Sequence, residues 1–227
     1  MPRVRGVFVT GTDTGAGKTF VTAALCAAIA AAGERVAAHK PVLTGLGQAG
    51  DGDWPADHEL LAAVSGARPE DVCARTFELP VSPHLAAELA DVELSVDALA
   101  AAARERAADA DVLVMEGVGG LLVPLGGEQL VRDLAVALGL PLVIAARPGL
   151  GTINHCLLTL EAARAAGLDV RAVVLTPWPD EPAVMHHSNR ETIARLGGVE
   201  VATLARVSAI EDLAGAGAAL PWRSWLG

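Results

Sequence analysis

The chain has 227 residues, 52% hydrophobic, 19% charged and only 3% aromatic, with no tyrosine. Such a composition builds one large α/β core and excludes wholesale disorder, and so few aromatic rings exclude a stacking platform for single-stranded nucleic acid. A formal charge of −10 and a pI near 5.0 exclude a phosphate-backbone-binding surface, so any bound phosphate must be held locally, by backbone amides, a few cations and a metal.

The pattern of apolar runs predicts a strand at Val4–Thr10, a helix at Lys18–Ala32, a strand at Arg35–His39 and a helix at Asp57–Val64. Beyond these it predicts a helix at Val96–Ala108, a strand at Asp111–Met115, a helix at Gln129–Leu138 and a strand at Pro141–Ala145. A helix at Ile153–Ala166, a strand at Val170–Leu175, a helix at Ser188–Leu196 and a strand at Val199–Leu204 complete the series. The strands are short and apolar on both faces, as in a parallel sheet covered on each side. Gly33, Gly139 and Gly167 each follow a helix, where a left-handed cap is wanted. Thr44 to Asp57 and Phe77 to Ser95 carry no clear periodicity, and Gly45 to Asp53 reads as a flexible loop. With no repeat or linker, residues 1–227 read as a single domain.

Cys26, Cys73 and Cys156 are widely spaced and form no Cys-x-x-Cys pair, which points to a reducing compartment rather than to disulfides or zinc. Met-Pro-Arg-Val-Arg leads into Val-Phe-Val without a signal-peptide pattern, and no apolar run approaches the about 18–20 residues of a membrane span. The expectation is a cytoplasmic protein without membrane or nucleic-acid partners.

Gly11-Thr-Asp-Thr-Gly-Ala-Gly-Lys18-Thr19 lies between the first strand and the first long helix. Glycines there turn backbone N–H groups inward around phosphate oxygens, the lysine reaches the β- and γ-phosphates, and the threonine hydroxyl ligates Mg²⁺. The strict pattern puts its first glycine at position 12, where this chain has Thr; Gly11 is one residue early. The order strand, Gly-rich loop, Gly-Lys-Thr and helix is nevertheless that of a P-loop NTPase fold, with a mostly parallel sheet flanked by helices on both faces.

Lys40 follows the second strand, and carboxyl ends of parallel strands face the ligand crevice in such sheets. It fits either a cation beside a migrating phosphoryl group or a solvated lysine at a strand end. Glu116, in Met115-Glu-Gly-Val-Gly-Gly120, ends an apolar strand before a Gly-rich turn, which suits a carboxylate near Mg²⁺ or a cap of the next turn. Asp57 opens a predicted helix and fits an N-cap, a metal ligand or both. Pro80 to His84 and Gly149 to His155 are loop-to-helix junctions, unremarkable by themselves. His186 and His187 read as surface residues before a helix, and Trp222 and Trp225 as packing anchors.

Taken together, these segments resemble dethiobiotin synthetase. The resemblance rests on Phe8-Val-Thr-Gly-Thr-Asp-Thr-x-x-Gly-Lys-Thr, Lys40-Pro-Val with Thr44, Asp57, Thr76-Phe with Ser82-Pro-His84, Glu116-Gly-Val-Gly-Gly, and Gly151-x-Ile-Asn-His155. It implies an enzyme that uses ATP, Mg²⁺ and CO₂ to close the ureido ring of dethiobiotin on 7,8-diaminopelargonic acid. By resemblance, Lys40 and Lys18 are catalytic, and Thr19, Asp57 and Glu116 surround Mg²⁺. Thr14, Gly15, Ala16, Gly17, Lys18, Thr19 and Phe20 hold the nucleotide, with Gly117, Val118 and Gly119 approaching it. Thr14, Lys40, Thr44, Gly117 and Val118 meet the diamine, and Gly151 and Asn154 reach its carboxylate tail from the other subunit of a homodimer.

One departure concerns the base. Many family members carry Asn-Asp after the fifth predicted strand, where this chain has Thr176-Pro177-Trp178-Pro179, and Ile-Pro after the last strand is replaced by Val207-Ser208. The adenine-reading amide is therefore missing, which leaves Thr176, Pro177 and main-chain groups of Val207, Ser208 and Ala209 to face the base. Trp178 offers a stacking surface that accepts any base, so other NTPs are expected to serve. Two further readings share the P-loop. An amidotransferase-type ligase needs extra length and a nucleophilic Cys, and a partitioning or positioning ATPase needs an early second lysine that Thr12-Asp13-Thr14 does not supply.

Overall fold

Both faces of each central strand are apolar, and the folded chain buries both. The computed structural model describes residues 5–46 and 54–227. In chain order it contains β1 (Gly6–Gly11), α1 (Lys18–Ala31), β2 (Val36–His39), β3 (Leu43–Thr44), α2 (Asp57–Ser65), α3 (Pro69–Val72) and β4 (Thr76–Phe77). Next come α4 (Pro83–Leu89), α5 (Val96–Arg106), β5 (Val112–Gly120), β6 (Pro124–Gly126), β7 (Gln129–Leu130), α6 (Val131–Leu138) and β8 (Leu142–Ala146). The chain ends with α7 (Thr152–Ala165), β9 (Val170–Trp178), α8 (Val184–Gly197), β10 (Glu200–Ala205), a 3-10 turn (Ile210–Asp212), α9 (Leu213–Ala218) and α10 (Trp222–Trp225).

Six strands form one parallel sheet in the order β10-β9-β8-β1-β5-β2. Successive side chains on a strand point to opposite faces. Phe8, Leu113, Met115, Leu142, Ile144 and Val173 therefore enter a core with α5, α6, α7 and α8. Val7, Val9, Val112, Val114, Val143 and Val174 enter a second core with α1, α2, α9 and α10. Trp222 and Trp225 are buried in the second core, as expected of packing anchors.

The predicted strands and helices of the main sheet are all present, with shifted ends. Val4 and residues 47–53 of the Gly-rich loop lie outside the described residues. β5 does not end at Met115: it continues through Gly120 because Gly120 pairs with Gly11 of β1, so Glu116 sits inside a strand rather than at its end. Gln129 and Leu130 are not helical, since they pair with Pro124–Gly126 as a short hairpin. α8 starts at Val184, a turn earlier than predicted, and takes His186 and His187 into the helix. The cause is local: the imidazole Nδ1 of His186 accepts the Ala183 N–H at 2.9 Å and caps the first turn.

Candidate active site

The glycine loop wraps from the end of β1 into α1. Gly17 has φ of 90°, a left-handed backbone, and a Cβ on it would meet Cγ2 of Thr176 at 2.4 Å. Only glycine satisfies both conditions. Lys18 is buried, and its Nζ donates to the Asp13 carbonyl at 3.0 Å. Burial pulls its ammonium below the ordinary range, against the nearby Glu116 carboxylate, which favours the charge. A desolvated cation under a loop of inward amides is suited to a polyphosphate.

Beside it lies a cluster of three charges. Lys40 sits just past β2, its backbone N–H bound to the Val72 carbonyl at 2.9 Å, and its side chain is buried. Its Nζ donates to Glu116 Oε1 at 2.6 Å and to Asp57 Oδ2. Burial works against the charge on this lysine, but Glu116 and Asp57 more than reverse that and hold its pKa above the usual value. Asp57 responds in kind: although burial works against its charge, Lys40 and the Thr19 hydroxyl keep its carboxyl below the ordinary range. Lys40 is thus no solvated strand-end lysine. Asp57 is not the helix cap either: Ala56 holds that position, and Glu59 accepts its N–H at 3.0 Å.

The acidic groups also suit a hard cation. Thr19 Oγ1 donates to Glu116 Oε1 at 3.0 Å, while Oε2 of this wholly buried glutamate has no hydrogen-bond partner among the described residues. An orphaned, buried carboxylate oxygen is costly unless something positive meets it. That free oxygen, with the Thr19 hydroxyl on the other oxygen of Glu116 and Asp57 across Lys40, makes a hard-oxygen donor set of the kind that suits Mg²⁺.

The remaining expected residues fall at several stations along the carboxyl edge of the sheet. Thr14 and Gly15 are exposed at the crest of the loop with Ala16 buried beneath, and a Cβ on Gly119 would lie 3.6 Å from Thr14 Oγ1. That brings the Gly117 to Gly119 segment against the P-loop. Phe20, in the first turn of α1, turns its ring onto Trp54, edge-on at 4.9 Å between centroids. Thr44 is half-buried in β3, which pairs with Thr76–Phe77 of β4. Val207, Ser208 and Ala209 follow β10 at the far edge of the sheet. Gly151 and Asn154 are exposed at the start of α7, and no hydrogen bond among the described residues joins either to the Lys40 cluster.

One expectation about the base changes. Thr176 is buried with its methyl against Gly17, part of the floor of the P-loop. Trp178 is no stacking face for a base: it packs with the α7 and α8 core and meets His186 and His187 edge-on at 5.8 and 6.0 Å, on the sheet face opposite α1.

Two residues went unnoticed in the sequence. Arg147, just past β8, lies 3.6 Å from Asp13 Oδ2 and 3.5 Å from the Thr14 carbonyl. The strand-end rule that singled out Lys40 would have found it. Asn189 in α8 reaches the Pro148 and Gly149 carbonyls, and nothing in the sequence marks it.

A family model described as an AAA domain matches residues 5–216. An ATP-dependent dethiobiotin synthetase BioD of Anaeromyxobacter sp. (strain Fw109-5) is 44% identical over 93% of each chain. Proteins of the same name from Mycobacterium sp. (strain KMS) and Anoxybacillus flavithermus are 39% and 36% identical, over 90% and 87% of this chain and 90% of each of theirs. Among solved structures, chloroplast FtsY from Physcomitrella patens aligns with a TM-score of 0.52 at 16% identity, and FtsY from Elizabethkingia anophelis with 0.51 at 14%. The alignments cover 96% of this chain but 66% and 64% of those two, and at such identity they speak for the P-loop fold alone.

Proposed function

Because the chain belongs to the family of ATP-dependent dethiobiotin synthetases, we propose that it closes the ureido ring of dethiobiotin on 7,8-diaminopelargonate with CO₂, Mg²⁺ and a nucleoside triphosphate. The observation that carries this reading is the buried Lys40 ammonium held between Asp57 and Glu116 at the edge of the P-loop. One amine of the substrate takes up CO₂, losing a proton and becoming a carbamate. A carbamate oxygen attacks the γ-phosphate and the nucleoside diphosphate leaves; the second amine then attacks the carbamoyl carbon, phosphate leaves, and the amine gives up a proton as the ring closes. Two anions must meet in the first transfer, and Lys18 and Lys40 offset their repulsion in a site where burial strengthens every charge–charge interaction. Thr19, Asp57 and Glu116 would hold Mg²⁺, which supplies further charge neutralisation when bound.

Gly151 and Asn154 take the carboxylate tail in this reading, from the other copy of a homodimer. Leu150 is 94% exposed and Leu158 57% exposed on either side of Asn154, an apolar flank suited to a partner. The three unpaired, buried cysteines suit a cytoplasmic setting, and no helix among the described residues is long and apolar enough to cross a membrane. Nucleotide choice is relaxed: Thr176 turns its methyl onto Gly17 and offers one hydroxyl at most, Pro177 has no N–H to offer, and Trp178 packs with the α7 and α8 core.

The test incubates the protein with diaminopelargonate, bicarbonate and Mg²⁺ together with ATP, CTP or GTP in turn. Dethiobiotin should appear by mass with each, at kcat/KM values within about tenfold, a spread of roughly 1.4 kcal/mol. Hydrolysis of ATP indifferent to the diamine would favour a partitioning-type switch ATPase instead. An ATP preference above about a hundredfold, roughly 2.7 kcal/mol, would reveal an adenine reader elsewhere in the chain.

A further inference from the structure

The turn between β8 and α7, Pro148 to Gly151, has little of its own to fix its shape. Leu150 at its tip is 94% exposed within the chain, and among the described residues a Cβ added at Gly149 or Gly151 would meet no atom within 4 Å. Pro148 has no backbone N–H with which to tie the turn down. Yet this turn sets the start of α7, because the Gly149 carbonyl accepts the Thr152 N–H at 3.2 Å and Gly151, with φ of 91°, occupies the cap position.

The tie comes from another element. Asn189 lies on α8 and is 6% exposed. Its Nδ2 donates to the Pro148 carbonyl at 3.0 Å and to the Gly149 carbonyl at 3.3 Å. Two carbonyl oxygens can be met only by the amide nitrogen, which fixes the orientation of the side chain. The amide nitrogen thus serves two adjacent backbone carbonyls at once. The preceding residue, Arg147, reaches Asp13 and Thr14 of the P-loop. The clamped turn thus joins the nucleotide loop at one end to Gly151 and Asn154 at the other.

We propose that Asn189 is a positioning residue for the synthetase reaction: it holds the β8–α7 turn in the shape that presents Gly151 and Asn154 to the substrate's carboxylate tail. This rests on the reading of Gly151 and Asn154 given above. Asn189 touches neither substrate nor nucleotide. Its effect should therefore fall on the KM for the diamine, leaving kcat and the KM for ATP near their original values. A general loosening of the fold would not make that split.

The experiment compares Asn189→Ala, Asn189→Ser and Asn154→Ala in the full chain, with steady-state kinetics in both substrates and thermal melting. Asn189→Ala should raise the diamine KM about tenfold, with the ATP KM within about twofold. Asn189→Ser keeps one donor and should lie between, and it carries the comparison if the alanine variant does not fold. An unchanged diamine KM in both Asn189 variants, alongside a raised one in Asn154→Ala, overturns the positioning role and leaves the tail site standing. Unchanged values in all three overturn the tail site itself. A parallel rise in both KM values with a lowered melting temperature makes Asn189 a structural residue only.

Discussion

Lys40 Nζ stands 2.6 Å from Glu116 Oε1, with the lysine side chain 4% exposed and the glutamate 0%. An ion pair this far from water is a liability when halved, since the Glu116 charge that remains keeps only the Thr19 hydroxyl and no solvent. Removing one member of such a pair costs about 3–5 kcal/mol. Lys40→Ala should therefore lower the melting temperature as well as turnover. The turnover loss should be roughly 10²–10³, as for loss of one preorganised group at a centre of developing charge. Binding of ATP should survive, because Lys18 and the loop amides are untouched. Near-original turnover would exclude Lys40 from the chemistry.

The orphaned Oε2 of Glu116 leads to a metal prediction. Asp57→Asn and Glu116→Gln keep the shape of each side chain and remove its charge. Each should raise the Mg²⁺ concentration for half-maximal activity by about tenfold or more, since a neutral amide is a much poorer ligand for a hard cation. A titration curve that coincides with the original chain would make that acid a partner of Lys40 alone.

Gly17 and Thr176 make a packing prediction. Gly17→Ala places a Cβ in a left-handed backbone, about 1–2 kcal/mol of strain, and drives it into the Thr176 methyl, 2.4 Å away. Nucleotide affinity and melting temperature should both fall. Combining it with Thr176→Ser, which deletes that methyl, should recover part of the loss. No recovery in the double variant would place the damage in the backbone strain and not in the contact.

His39 gives a pH prediction. It is buried at the end of β2, with neither ring nitrogen partnered among the described residues, and burial, helped by the Arg106 cation, pushes its pKa from 6.5 down to about 4. The folded state therefore binds fewer protons than the unfolded state between those two values. Its contribution is complete above pH 6.5, falls as the pH drops, and is gone below about 4, at most roughly 3 kcal/mol in all. Urea midpoints measured at pH 7 and 4.5 should separate less in His39→Leu than in the original chain. Equal separations would mean that His39 does not titrate in that window.

The sequence by itself determined the parallel α/β architecture, because strands apolar on both faces have few other homes, and it determined the phosphate loop, whose function is written in contiguous residues from Gly11 to Thr19. Lys40 was legible for a related reason: the end of a parallel strand is a known place even before the strand order is known. What only the tertiary structure decided were relations between distant segments. That Glu116 lies mid-strand follows from Gly120 pairing with Gly11, and that Asp57 serves Lys40 rather than a helix end follows from α2 packing over β2. The misplacement of Trp178 has the same origin, since which face a residue at a strand end meets depends on neighbours that local pattern does not contain. Asn189 was invisible altogether. A buried amide in the middle of a helix carries no local signal, and its two acceptors come from a turn some forty residues earlier in the chain.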